Sequence, residues 1–231
     1  TYTQLLNTRG GIEADLTVAR LAEDHFYIVT GTGFRTHDFG WIEDHIGSGL
    51  DARLRDVTED YGTLSLMGPD ARRVLAKVTR ADVSHAGFPF GHVREITIAG
   101  HTVRALRVTY VGELGWELHV PIDATGDVFD ALMEAGWAFA IRPVGYRALE
   151  SLRLEKGYRA WGSDITPNDS PFEAGMGWAV KLSRNADFMG REASQRIASA
   201  PLAKRLACFT VDDPAVVLLG RETILRDGET V

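Results

Sequence analysis

Two carboxylates occupy positions where strand patterning makes a carboxylate unusual. Asp15 sits inside the alternating run Ile12-Glu13-Ala14-Asp15-Leu16-Thr17-Val18, and aspartate is disfavoured within strands. Ala14 and Leu16 take the opposite face, so Asp15 shares its face with Glu13 and Thr17. Glu117 is surrounded by apolar Trp116, Leu118 and Val120, after the turn residues Gly112-Glu113-Leu114-Gly115. Tyr110, expected at the end of the preceding strand, is placed to meet Glu117 across that turn. A tyrosine and a glutamate facing one cavity can hydrogen-bond a planar heterocycle that carries adjacent N–H donors. A solvated strand face for Asp15 and a cross-strand surface pair for Glu117 are the plainer alternatives, and the residues alone leave both open.

Other chemistries find little support. Gly31-Thr32-Gly33 lacks the continuation of a dinucleotide fingerprint, and no phosphate-binding G-x-x-x-x-G-K-[ST] run occurs. The seven histidines are scattered. Neither His85 with His92 nor His37 with His45 has ligand spacing to a carboxylate, so no metal is expected. The chain carries 25 basic and 32 acidic residues, a formal net charge of −7, which argues against nucleic acid as a partner. A single cysteine, Cys208, excludes a disulfide framework. No apolar run approaches the roughly 20 residues that span a bilayer, and no signal-peptide pattern opens the chain. The expectation is a soluble, intracellular globular protein with no membrane partner.

The elements that must hold these residues follow from periodicity. Residues 12–18 and 25–30 read as strands, residues 36–46 as a helix and residues 63–67 as a strand. Gly68-Pro69-Asp70 opens a helix running through Val78. Residues 93–98 and 102–110 read as strands flanking the hairpin signal Ala99-Gly100-His101. Residues 116–120 read as a strand, and residues 125–136 and 144–155 as helices. Residues 157–177, rich in Gly, Pro, Asn and Asp, read as a long loop. A composition shift near Ala200-Pro201 precedes strands expected at 205–211 and 222–226, with another after the Asp227-Gly228 turn and running to Val231. Strands followed by helices, with hairpins between, indicate an α+β fold. The chain opens without an initiator methionine, and both ends read as cut from a larger polypeptide.

Several blocks are similar to the signatures of a known family. Residues 7–18, Asn7-Thr8-Arg9-Gly10-Gly11-Ile12-Glu13-Ala14-Asp15-Leu16-Thr17-Val18, resemble the N-x-x-G-G-I-x-x-D-L-x-V segment of the folate-binding aminomethyltransferases. That family includes the glycine-cleavage T-protein and the C-terminal halves of sarcosine and dimethylglycine dehydrogenases and oxidases. Tyr110-Val111-Gly112-Glu113-Leu114-Gly115-Trp116-Glu117 resembles its Y-x-G-E-x-G-x-E signature. Ser151-Leu152-Arg153-Leu154-Glu155-Lys156-Gly157, then Asp164-Ile165, then Pro171-Phe172-Glu173-Ala174-Gly175 and Trp178 fit further segments in order. Together the blocks extend over residues 3–192.

The resemblance implies the T-protein fold, with ferredoxin-like αβ subdomains. It also implies a tetrahydrofolate-binding region over residues 1–199, N-terminally truncated, and the start of a truncated C-terminal β-barrel at 200–231. It implies a pterin held in a central cavity. Asp15 would lie near the folate amines that receive a one-carbon unit and would be the catalytic residue. Glu117 would accept hydrogen bonds from the pterin, and Tyr110 would sit beside it. Tyr2, Thr17 and Val29 fall on positions that line the folate pocket. The implied activity is capture of the one-carbon unit, as an N-methyl-amine-derived iminium or formaldehyde, to give 5,10-methylenetetrahydrofolate. FAD is expected only on an upstream oxidase domain of the parent chain, in a bacterial cytoplasm or a mitochondrial matrix.

Departures choose among branches. The T-protein pattern has an arginine two residues before its S-L-R-L-E block, where this chain has Leu149, with Arg147 two residues earlier. The asparagine that often follows the second strand is replaced by Thr30-Gly31. Glu155-Lys156-Gly157-Tyr158-Arg159-Ala160-Trp161-Gly162 is nearer the sarcosine and dimethylglycine dehydrogenase branch. Lys156-Gly157-Tyr158 lacks the cysteine of the K-G-C-x-x-G motif found in folate-binding iron–sulfur maintenance factors. A glycine-cleavage aminomethyltransferase and a non-catalytic folate-binding regulatory module stand as alternatives.

Overall fold

A computed structural model describes residues 1–230; the last residue of the expected terminal strand, Val231, lies outside the described residues. Two antiparallel sheets organise the chain. The first is formed by β1 (Tyr2–Leu6), β2 (Ile12–Arg20) and β3 (Phe26–Val29), in that order. Ile12, Ala14 and Leu16 are buried while Glu13, Asp15 and Thr17 are half-buried, which is the alternation read from the sequence. Helix α1 (Arg35–Asp44) follows β3.

The second sheet is formed by β4 (Tyr61–Met67), β5 (Val93–Ile98), β6 (His101–Leu106) and β7 (Gly115–Pro121), in the spatial order β4-β7-β6-β5. Helices α2 (Ala71–Val78) and α3 (Thr125–Gly136) pack with it as a two-layer αβ unit. Its core joins Trp116, Leu118 and Val120 of β7 to Val74 and Leu75 of α2 and Val128 and Leu132 of α3. Because alternate residues of β7 enter this core, Glu117 and His119 must project from the opposite face. The β5–β6 hairpin turns through Ala99 (φ 49°) and Gly100 (φ 84°), the two positive φ angles of a type I′ turn.

Helix α4 (Tyr146–Glu155) leads into the loop at 157–177, and α5 (Arg191–Ala198) follows. The loop completes the first sheet's core, where Ile165, Ala174 and Met176 pack with Leu6 and Ile12. Buried Arg153 anchors that loop. Its guanidinium meets Glu150, one turn back, at 2.6 Å, donates to Tyr158 O at 3.0 Å and pairs with Asp164.

Three expected elements are corrected. The strand expected through Tyr110 ends at Leu106, because pairing with β7 stops at Leu106↔Glu117 and the chain then turns away from the ladder. Residues 205–211 form no strand, since an extended segment needs a ladder partner and, among the described residues, Leu206 N–H bonds the carbonyl of Glu173 at 2.9 Å and no neighbouring strand. The strand expected at 222–226 shrinks to β8 (Leu225–Arg226), paired with β9 (Glu229–Thr230).

Candidate functional site

The antiparallel register of the first sheet assembles one polar face. Tyr2, Thr17 and Val29 lie side by side across the three strands, and Gln4 pairs with Asp15 in the next row. Strand pairing thus brings together four of the residues singled out from the sequence. The Tyr2 hydroxyl donates to Asp15 Oδ2 at 3.1 Å, and its ring lies 5.9 Å from that of Trp178. Gln4 Nε2 approaches the Tyr2 hydroxyl and Met176 Sδ, each at 3.4 Å.

Electrostatics on this face favour the neutral forms. Burial raises the Asp15 carboxyl above the ordinary carboxylate range, and the Asp38 charge adds to it, while the Tyr2 hydrogen bond opposes both. Burial and the neighbouring Asp15 charge push Tyr2 well above an ordinary phenol. A solvated strand face would produce neither effect. Tyr110 follows β6 in the loop and is pushed up to about 12, mainly by burial, with Asp15 among the charges that reach it. Its hydroxyl donates to Arg159 O at 3.1 Å, and its ring stacks on Tyr158 with centroids 6.3 Å apart. The early end of β6 carries Tyr110 toward the 157–177 loop, and among the described residues its hydroxyl bonds Arg159 O and not Glu117.

Glu117 is half-buried on β7 and accepts no hydrogen bond among the described residues. Its Oε2 lies 3.9 Å from His119 Nε2. His119 Nδ1 in turn faces the Tyr27 hydroxyl at 3.1 Å. Tyr27 stands two residues before Val29 on β3, on the face of the first sheet that Val29 shares with Thr17 of β2. The polar faces of the two sheets meet at this Tyr27–His119 contact.

A second network borders the Asp15 face. Asn7 Nδ2 donates to Glu13 Oε2 at 3.2 Å, and His37 spans Glu13 (3.3 Å) and Asp38 (2.8 Å). Asp38, with its side chain only 4% exposed, also accepts from Thr30. A cleft of about 410 Å³ opens beside it, lined by Val29, Asp38, Tyr27, Tyr61, Thr63 and His119 among others. Of the sequence candidates, Val29 alone lines that cleft.

Sequence reasoning singled out neither His119 nor Asp38. For His119 the available signal was its place two residues after Glu117 on one strand face. Asp38 reads as an ordinary helix carboxylate until folding buries it beside Thr30 and His37. No group of three or more His, Cys, Asp or Glu side chains suited to a metal ion occurs among the described residues, and no helix among them is long and apolar enough to cross a membrane.

Comparison with known proteins gives these residues a context. The family model described as the GCVT N-terminal domain matches residues 1–184. The chain is 41% identical to the mitochondrial sarcosine dehydrogenase of Homo sapiens, covering 100% of this chain and 26% of that protein. It is 38% identical to the mitochondrial dimethylglycine dehydrogenase of Mus musculus, covering 99% of this chain and 26% of that protein. Among solved structures, the glycine cleavage system aminomethyltransferase T of Bartonella henselae is similar with a TM-score of 0.72 and 32% identity, over 85% of this chain and 52% of that one. The chain thus spans 26% of the length of the two dehydrogenases, and its mixed α/β architecture matches part of the aminomethyltransferase T fold.

Proposed function

This chain belongs to the family of the GCVT N-terminal domain, and from that premise we propose that it is a tetrahydrofolate-binding domain for one-carbon transfer. In this reading it takes the one-carbon unit released when an N-methyl amine such as dimethylglycine or sarcosine is oxidised, and the product is 5,10-methylenetetrahydrofolate. An FAD-dependent domain elsewhere in a longer parent chain would carry out the oxidation, in a mitochondrial matrix or a bacterial cytoplasm. Residues 1–199 would form the folate-binding region, with a β-barrel beginning at about residue 200.

The observation that carries the reading is the half-buried Asp15, held by one hydrogen bond from Tyr2 on the face it shares with Thr17 and Val29. The donor set suits a reduced folate. Glu117 accepts no hydrogen bond among the described residues, so it can accept from the amino and ring N–H groups of a pterin. Asp15 retains lone pairs beyond the one Tyr2 occupies. Tyr2, Thr17, Val29 and Tyr110 would line the site.

When bound, tetrahydrofolate supplies the amine nitrogens to which the one-carbon unit is attached. Asp15 would orient an amine by accepting its hydrogen bond and stabilise positive charge developing beside it. Its raised proton affinity also suits it to take up the proton that an attacking amine releases. Tyr2 keeps the carboxylate aimed, and both groups work in a partly dehydrated setting that strengthens these interactions. Likeness to the aminomethyltransferase T structure favours a second reading, transfer from an aminomethyl carrier with release of ammonia.

Calorimetric titration of tetrahydrofolate tests the binding half. Replacing Glu117 by Gln removes charge-assisted acceptance worth roughly 1.5–3 kcal/mol, an affinity loss of about tenfold or more. Equal affinities would return Glu117 to the surface-pair reading.

A further inference from the structure

We infer that His119 is a positioning residue for ligand recognition, acting through Glu117. The inference rests on the proposed role of Glu117 and extends it to a residue with no part in that reading so far. His119 is 2% exposed on the interior of β7. Two hydroxyls approach its Nδ1, Tyr27 at 3.1 Å and Thr63 at 3.4 Å. Both hydroxyls can donate or accept; with Nδ1 assigned as their acceptor, the proton of the neutral ring resides on Nε2. The ring's orientation is fixed as well, because it stands edge-on to Tyr27 at 89° with centroids 5.3 Å apart.

Nε2 is buried and has no hydrogen-bond partner among the described residues. A buried N–H left unpaired is unfavourable, and such groups are rare unless a further state satisfies them. A carboxylate stands in front of this one, with Glu117 Oε2 at 3.9 Å, too long for a hydrogen bond and within reach of a side-chain rotation. Glu117 accepts no other bond among the described residues, so nothing holds it back. Closing the gap would give Nε2–H its acceptor and fix one carboxylate oxygen. The remaining lone pairs of Glu117 would then be presented to the ligand in one orientation. A short chain, Tyr27 and Thr63 to His119 to Glu117, would thereby couple the first sheet to the recognition carboxylate in the second.

A double-mutant cycle on tetrahydrofolate affinity tests this in the full chain, with wild type, Glu117→Gln, His119→Phe and the double variant. The expected result is that His119→Phe weakens binding about fivefold, and that the double variant binds no more weakly than Glu117→Gln alone. His119→Gln, whose amide N–H falls near the position of Nε2, should recover most of the affinity. In ¹⁵N-labelled protein the His119 Nε2–H resonance should move downfield when tetrahydrofolate is added, which a purely structural histidine would not show. Additive losses, or an Nε2–H resonance indifferent to tetrahydrofolate, overturn the inference while leaving Glu117 in place. If Glu117→Gln itself has no effect, the reading of Glu117 fails and this inference falls with it. Should His119→Phe not fold, the Gln variant and the resonance decide.

Discussion

Gly11→Ala should unfold the first sheet's junction with the 157–177 loop, and the structure shows why. A Cβ built on Gly11 falls 1.9 Å from the carbonyl oxygen of Pro167, 2.8 Å from its carbonyl carbon and 2.9 Å from Asn7 Nδ2. Two of these contacts are with backbone, so no side-chain rotation relieves them. The loop must withdraw, which strains the bond from Ile12 N–H to Asp169 O (2.9 Å) and that from Asn7 Nδ2 to Pro167 O (3.1 Å). Overpacking costs about 1–3 kcal/mol, and each of the two hydrogen bonds contributes about 1 kcal/mol. The sum is on the order of 3–5 kcal/mol, or a fall in Tm of roughly 10 °C for a chain of this size. Scanning calorimetry of the wild type and Gly11→Ala measures it, with Gly33→Ala as the control, since a Cβ there meets nothing within 4 Å. A Gly11→Ala protein melting within about 2 °C of wild type would refute the reasoning.

Asp15→Ala should separate chemistry from binding: in a protein carrying the oxidising domain, folate product should fall by about 10²–10⁴, with amine oxidation continuing and formaldehyde escaping. Product formed at the wild-type rate would leave Asp15 a polar strand residue, provided folate binding is retained. Arg153→Leu removes the donor shared by Asp164, Glu150 and the Tyr158 carbonyl and frees the loop anchor, while Asp164 keeps the Ala160 N–H, and chemical denaturation should register a loss of about 1–3 kcal/mol. His37 is raised above its ordinary value by its hydrogen bond to Asp38, with Glu13 assisting. Its stabilising contribution is therefore full below about pH 6.5 and lost as pH rises through the raised value; Tm followed across that range should decline, and His37→Gln should flatten the decline.

Patterns confined to a dozen neighbouring residues were legible before folding. The alternation from Ile12 to Thr17, the Pro-Asp opening before α2, the boundaries of α3 and the Ala99-Gly100 turn all follow from local sterics and periodicity. The oddity of Asp15 within a strand was legible for the same reason. Partnerships across long separations were not. Tyr2 reaches Asp15 only because β1 pairs with β2 in one register, and Trp161 Nε1 finds Ile12 O at 2.9 Å across 149 residues. The Tyr110 hydroxyl bonds Arg159 O rather than Glu117, because where β6 stops is set by the extent of its ladder with β7 rather than by its own residues. Residues 205–211 have strand-forming side chains and, among the described residues, no strand beside them. His119 carries no local signal beyond its spacing from Glu117, and its meaning comes from Tyr27, 92 residues earlier on a different sheet. Local composition sets which segments can be strands or helices; hydrogen bonds between segments decide which of them pair, and so which side chains share a site.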